Sequence, residues 1–252
     1  MSEASSRGKA GVLALDHVAF GVRSIAEVST ILCSRLGAVP FQSGPGIGFN
    51  GAQWTLPGEG RVEAIEPDGG SAGFLDRFLS GRGSRIHHVT FKVEDIHAAA
   101  AAVKGAGLTV VGWSDVFASW KEMFLHPKEA QGIVVQLAES HPEIGDDGWT
   151  SAWPYPRPEP AISRPQVLGL RLRARSAERA LAQWRDLLGA KVENLDGRLC
   201  FVWPGSPLRL TVEVDPADAE GPIALEVRTA AAARRAPERI DELDVGVIAV
   251  DR

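Results

Sequence analysis

The segment Leu15-Asp16-His17-Val18-Ala19-Phe20-Gly21-Val22 returns, altered, as Ile86-His87-His88-Val89-Thr90-Phe91-Lys92-Val93. Internal repetition at this spacing restricts a chain to folds assembled from copied supersecondary units. Each segment reads as a strand carrying a histidine. Each is followed by a polar break and a helical pattern, Ile25 to Leu36 in the first copy and Ile96 to Lys104 in the second. Gly37 ends the first helix and Gly105 or Gly107 the second, since glycine accepts the left-handed C-cap conformation. Three strand-like segments complete each copy: Ala38–Gln42, Ile47–Leu56 and Gly60–Glu66, then Leu108–Trp113, Trp120–His126 and Gly132–Ala138. Pro57-Gly58, Pro67-Asp68-Gly69-Gly70 and Pro127 punctuate the joins. The unit is βαβββ, used twice, over about 13–67 and 86–140.

Between the copies, Phe74, Leu75, Phe78 and Leu79 fall at helical spacing, which predicts a short amphipathic helix within 71–85. Residues 141–165 are rich in Pro, Trp and Asp and cannot sustain a helix or an interior strand. Their Trp and Tyr residues predict a linker that packs on a surface. A weaker third copy follows: strand Val167–Ala174, helix Ala177–Leu188 ending at Gly189, and strands Lys191–Asn194, Leu199–Trp203 and Arg209–Val214. Part of a fourth is expected as strand Ile223–Arg228, a helix over Pro237–Leu243 and strand Val245–Val250. The expected fold class is α+β. One complete two-module domain spans 11–140, and a degenerate, truncated second domain spans 166–252.

A net charge of −5 with no basic stripe argues against nucleic acid as a partner. The two cysteines, Cys33 and Cys200, lie far apart and outside any ligand spacing, so neither a disulfide framework nor a zinc knuckle is expected. Met1 to Lys9 is polar and lacks the apolar core of a secretion signal. No run approaches the roughly 18 apolar residues of a membrane span. A cytoplasmic protein is expected, acting on a small molecule, with a homodimer as one option for its assembly.

His17 and His88 occupy equivalent places in two copies, so packing of the copies about a pseudo-twofold axis would turn both imidazoles toward one point. Glu63 lies in an otherwise apolar strand, where a charge is costly unless paired or bound to metal. Gln136 holds the matching place in the second copy. Two imidazoles, a carboxylate and an amide oxygen suit one divalent metal ion, with Co, Mn, Ni, Zn and Fe all allowed by ligand type. Trp120, Glu122 and Phe124 alternate along one strand and share a face. Glu122 is therefore a candidate general base, and Trp120 and Phe124 candidate substrate-facing rings. Trp54 is a further candidate for the substrate wall, equally readable as core. His87 points away from His88, His126 belongs to a turn and His97 opens a helix facing solvent. In the third copy Gly169 stands where His17 stands, Val212 falls near the Glu63 position, and no histidine follows His141, so that half is expected to lack the site.

The Asp-His-Val-Ala-Phe and His-His-Val-Thr-Phe strands, the paired βαβββ units and the four ligand positions resemble the vicinal-oxygen-chelate superfamily of glyoxalases, extradiol dioxygenases and bleomycin-resistance proteins. Within it, Gly73-Phe74-Leu75, Val93-Glu94-Asp95-Ile96, Phe124-Leu125-His126-Pro127-Lys128 and Gly132-Ile133-Val134-Val135-Gln136-Leu137 are similar to methylmalonyl-CoA epimerases. The resemblance covers roughly 13–140. It implies a metal that chelates two substrate oxygens and stabilises an enolate, and hence an isomerase, epimerase or lyase acting on a carboxylated or acyl-CoA substrate; Glu63 and, from the strand reading above, Glu122 are the candidate catalytic carboxylates. Gln136 stands where the family carries glutamate. The stretch Gly44 to Asn50 holds no carboxylate where the epimerase has a base, which leaves Glu122 as the substitute. The rival readings are a non-haem iron dioxygenase of extradiol type and a non-catalytic resistance-type binding protein.

Overall fold

A computed structural model describes residues 8–70, 73–159, 165–228 and 239–250. The chain is α+β, built on two mixed β-sheets with few helices. The first module contains β1 (Val12–Gly21), α1 (Ile25–Leu36), β2 (Val39–Gly46), β3 (Phe49–Thr55) and β4 (Arg61–Pro67). After α2 (Phe74–Leu79), the second module repeats the order with β5 (Arg85–Val93), α3 (Ile96–Gly105), β6 (Val110–Ser114), β7 (Trp120–Leu125) and β8 (Val134–Ser140). These eight strands form one sheet in the order β2-β3-β4-β1-β5-β8-β7-β6. Each half of the order mirrors the other, as two copies of one unit require.

The second sheet draws on β9 (Gln166–Ala174), β10 (Lys191–Leu195), β11 (Arg198–Val202), β12 (Arg209–Val214), β13 (Gly221–Arg228), β14 (Arg239–Ile240) and β15 (Val245–Ala249). Its order is β10-β11-β12-β9-β13-β15-β14. The third-copy helix starts as α4 (Ala177–Ala180) and continues as a π-helical stretch, Leu181–Leu187. The helix expected over Pro237–Leu243 is corrected where it is described. Arg239–Ile240 is a strand and Asp241–Leu243 a single 3-10 turn, closed by Asp244 at φ 43°. That turn joins β14 to β15 as an antiparallel pair. Residues 229–238 lie outside the described residues.

The same capping chemistry opens the helix in three copies. The hydroxyl of Ser24 accepts from Glu27 N, the carboxylate of Asp95 from His97 N and Ala98 N, and the hydroxyl of Ser176 from Arg179 N. Each satisfies donors that the first helical turn leaves open. Two repeat-equivalent carboxylates add to this: Glu66 accepts from Ile25 N at 2.6 Å and Glu139 from Ile96 N at 2.9 Å. Gly37 closes α1 at φ 66°, as the sequence predicts. β2 is longer than expected and runs through Pro40 and Pro45. A strand at the sheet edge tolerates proline because its outer N–H groups need no partner.

By packing, the chain divides into two compact units. One joins Met1–Asp16, His88–Asp146 and Gly169–Ile223, and the other His17–His87, Asp147–Leu168 and Ala224–Arg252. The core of the former includes Phe91, whose ring lies 4.8 Å from that of Trp203 and 6.1 Å from that of Trp184. In the latter, Trp54 is fully buried and meets Trp153 edge-on at 5.0 Å. There the linker also pairs Thr150 with Ser43 as an isolated bridge, and Ser29 donates to the carbonyl of Pro156.

Burial alone would raise the pKa of Glu139, but its hydrogen bonds to Lys121, the Ile96 amide and His141 outweigh that and hold it at about 2. A carboxylate depressed below its unfolded value near 4.3 stabilises the fold above that pH and loses the contribution as pH falls toward 2. Lys121→Met removes the strongest of those partners. Its acid-unfolding midpoint, followed by circular dichroism, is expected to move to higher pH than that of the wild type.

Candidate metal centre

Along β1 the odd-numbered residues share a face. β4 runs parallel to β1 with Arg61 opposite His17 and Glu63 opposite Ala19. This two-residue offset keeps both side chains on one face and lets the imidazole lean toward the carboxylate, with His17 Nε2 3.0 Å from Glu63 Oε2. His17 is fully buried and Glu63 is 7% exposed. β3 pairs antiparallel with β4 and sets Gln53 opposite Glu63. Gln53 Nε2 donates to Glu63 Oε2 at 2.7 Å, and Gln42 Nε2 donates to Gln53 Oε1 at 3.1 Å. The carboxylate is thus held at the end of a relay of two amides.

The second module builds the matching arrangement with different groups. β8 sets Val134 opposite His88 and Gln136 opposite Thr90. Thr90 Oγ1 donates to Gln136 Oε1 at 2.5 Å, and Gln136 Nε2 donates to Glu122 Oε2 at 2.5 Å. Trp120 Nε1 donates to the same carboxylate oxygen at 2.8 Å. Lys92 Nζ sits 3.6 Å from the centre of the Trp120 ring, within reach of a cation–π attraction. Phe124 stands edge-on to the imidazole of His88, with ring centres 6.3 Å apart.

His17, Glu63 and His88 each offer one ligand atom, and these atoms all lie within 4.8 Å of one another. Three buried donors of this kind are costly to gather without a function. Trp54, expected either at the substrate wall or in the core, lies away from these groups. It neighbours Gln53 in β3, so it projects from the opposite face, where it is fully buried against Trp153. Its role is in the core. His87 packs between Phe74 and Phe78, and burial lowers its pKa to about 4 against the pull of Glu63. His97 is exposed beside Trp113. His126 accepts from Lys128 N within its turn.

A sequence profile of the glyoxalase, bleomycin-resistance protein and dioxygenase superfamily matches residues 16–124. The ethylmalonyl-CoA/methylmalonyl-CoA epimerase of Cereibacter sphaeroides is 37% identical over 134 residues, which cover 50% of this chain and 96% of that protein. The chain belongs to this superfamily. A mitochondrial methylmalonyl-CoA epimerase from Dictyostelium discoideum is 24% identical over 140 residues, 52% of this chain and 81% of that protein. Among solved structures, methylmalonyl-CoA epimerase from Mycobacterium tuberculosis covers 54% of this chain and 93% of its own, with 24% identity and a TM-score of 0.49.

The third repeat, β9 to β12, lacks the candidate ligand types at the matching positions. Gly169 pairs with Arg209 as His17 pairs with Arg61. Gly169 has φ 153°, and a Cβ there would stand 2.0 Å from the Arg209 carbonyl oxygen, so no side chain fits. The register also corrects the expected partner by one residue. Thr211, opposite Arg171, takes the place of Glu63, and Val212 faces the other way.

The Gln42–Gln53 relay and Thr90 were not singled out by sequence. Gln53 offered a signal, since a buried amide in an apolar strand needs a partner. Gln53→Leu removes a donor from a buried carboxylate and is expected to cost about 1–3 kcal/mol of stability. Gln42→Leu, one step further from the charge, should cost less. Denaturant unfolding of the two variants checks the order.

Proposed function

We propose that the chain is a divalent-metal-dependent epimerase or isomerase of small carboxylated acyl-CoA esters, working through a metal-stabilised enolate. The observation that carries this reading is the buried His17–Glu63–His88 group. The three ligand atoms lie within 4.8 Å of one another, close enough that a metal with ligand distances near 2.0–2.2 Å would be reached by all three with small side-chain adjustments. Gln136 completes the set, because its carbonyl oxygen has a second lone pair beyond the one engaged by Thr90. Kinship to epimerases of methylmalonyl-CoA and ethylmalonyl-CoA supports the substrate class.

A divalent ion held by His17, Glu63, His88 and Gln136 would supply Lewis acidity toward the substrate carbonyl. The chain's own groups do the rest. Glu122 takes the α-proton, its carboxylate oriented by Trp120 and Gln136 through Oε2. Gln53 and Gln42 fix the orientation of the Glu63 carboxylate. Phe124 fixes the ring plane of His88 and forms part of the apolar surround. The same two histidines and carboxylate also match the trio of non-haem iron oxygenases. Gln136 argues against that assignment, because a fourth protein donor takes up a position that dioxygen chemistry needs open.

His17→Ala and His88→Ala are each expected to abolish stoichiometric divalent-metal binding, read by elemental analysis of reconstituted protein. With methylmalonyl-CoA or ethylmalonyl-CoA in D₂O, the wild type should exchange the α-proton. Glu122→Gln should slow that exchange by about 100-fold or more with metal content unchanged. Full metal content in both histidine variants, or no α-proton exchange by loaded wild type, removes the reading.

A further inference from the structure

The relay that positions Glu63 marks one face of β3, and a residue from outside the repeats sits on that face. Phe49, Gly51 and Gln53 alternate with Asn50 and Ala52, so the three point the same way. Gly44 of β2 is the cross-strand partner of Gly51. Over this glycine pair lies Trp149, from the Pro- and Trp-rich linker. A Cβ on Gly51 would stand 2.6 Å from the indole's Cζ2 and Cη2, and one on Gly44 would stand 2.8 Å from its Cγ. The two glycines thus form a shelf that only an absent side chain permits, and the ring lies against it.

The seat is held from several sides. Trp149 Nε1 donates to the Pro45 carbonyl at 3.1 Å, and its backbone N–H donates to Asp147 Oδ1 at 3.0 Å. Thr150 and Ser43 exchange backbone hydrogen bonds of 3.0 and 2.9 Å, and Ser43 Oγ donates to the Ala152 carbonyl. With its one polar atom engaged by Pro45, the indole presents only apolar surface. Phe49 adds to that surface, lying 3.4 Å from the same Gly51 position. Gln53, which holds Glu63, is a single two-residue step along the strand, about 7 Å away.

We infer that Trp149 is a specificity-determining wall. Resting on the Gly44–Gly51 shelf, it closes the apolar end of the site and limits the size of the alkyl substituent on the substrate's α-carbon. The occupant is alkyl rather than the nucleotide end of an acyl-CoA, because neither ring offers a hydrogen-bond donor or a charge. This inference deepens the proposed function and rests on it. It also gives the linker a part in the site that its composition does not suggest.

The test uses the full chain loaded with a divalent metal and malonyl-CoA esters carrying methyl, ethyl, propyl or butyl groups at the α-carbon. α-Proton exchange gives kcat/KM for each. Trp149→Ala should raise the propyl-to-methyl ratio of kcat/KM by about 10-fold or more, since each methylene a pocket newly accepts is worth roughly that much. Trp149→Phe keeps a ring on the shelf and should give a smaller shift in the same direction, which guards against misfolding of the alanine variant. An unchanged ratio in both variants, or an equal loss for every ester, overturns the wall while leaving the epimerase reading intact. Absence of exchange by wild-type protein on every ester overturns that reading, and the wall with it.

Discussion

A carboxylate shielded from water in the middle of a β-sheet is the constraint around which the first module is organised. Glu63 sits among Val62, Ala64 and Ile65, all buried. Removing a charge of this kind from water costs several kcal/mol, and mutual attraction returns that only with good geometry and satisfied lone pairs. Glu63 meets the requirement through His17 on one side and Gln53 on the other. Apolar residues of similar volume would serve stability at least as well. What the polar group offers instead is a fixed donor set, which is a reason of function.

The repeats separate scaffold from site. Glu66 and Glu139 sit three residues past Glu63 and Gln136, and both accept from a helix N-terminus. Helix caps of the same kind persist in the third copy at Ser176. The candidate ligand residues do not persist, the matching positions there being Gly169 and Thr211. The unit keeps its fold where the candidate ligand types are absent, because the caps and the apolar alternation carry the fold and those polar side chains do not. The packing within the compact units is consistent with this. The third copy contributes Trp184 and Trp203 to the surroundings of Phe91 in the second module, a role that needs bulk and no chemistry.

Much of this was legible in the sequence because both signals are periodic. Alternation with period two located β1, β4, β5 and β8, and repetition aligned His17 with His88 and Glu63 with Gln136. Cross-strand register was not legible. The pairing of β2 with β3 shifts at a bulge between Pro40 and Gln42. Without that shift the contact between Gln42 and Gln53 cannot be placed. Trp54 shows the same limit, since its face follows from pairing with β4 and not from its own strand. A one-residue slip also separates Val212 from Thr211, and in a strand one residue changes the face. The π-helical stretch Leu181–Leu187 gave no signal, because its apolar spacing reads as an ordinary α-helix.

The composition of the linker hides its use. Proline prevents Trp153 to Pro158 from joining a sheet interior, and the only described pairing of the linker is the single bridge at Thr150. A segment that cannot form regular structure is fixed by its side chains, and here those are indoles. Trp153 meets Trp54 on the core face of β3, while Trp149 lies over Gly44 and Gly51 on the face that carries Gln53. The linker therefore grips both faces of the β2–β3 hairpin around its edge. A hairpin held in this way resists the slippage to which an edge strand containing Gly44, Gly46 and two prolines is prone. The amide relay that starts at Gln42 depends on that register.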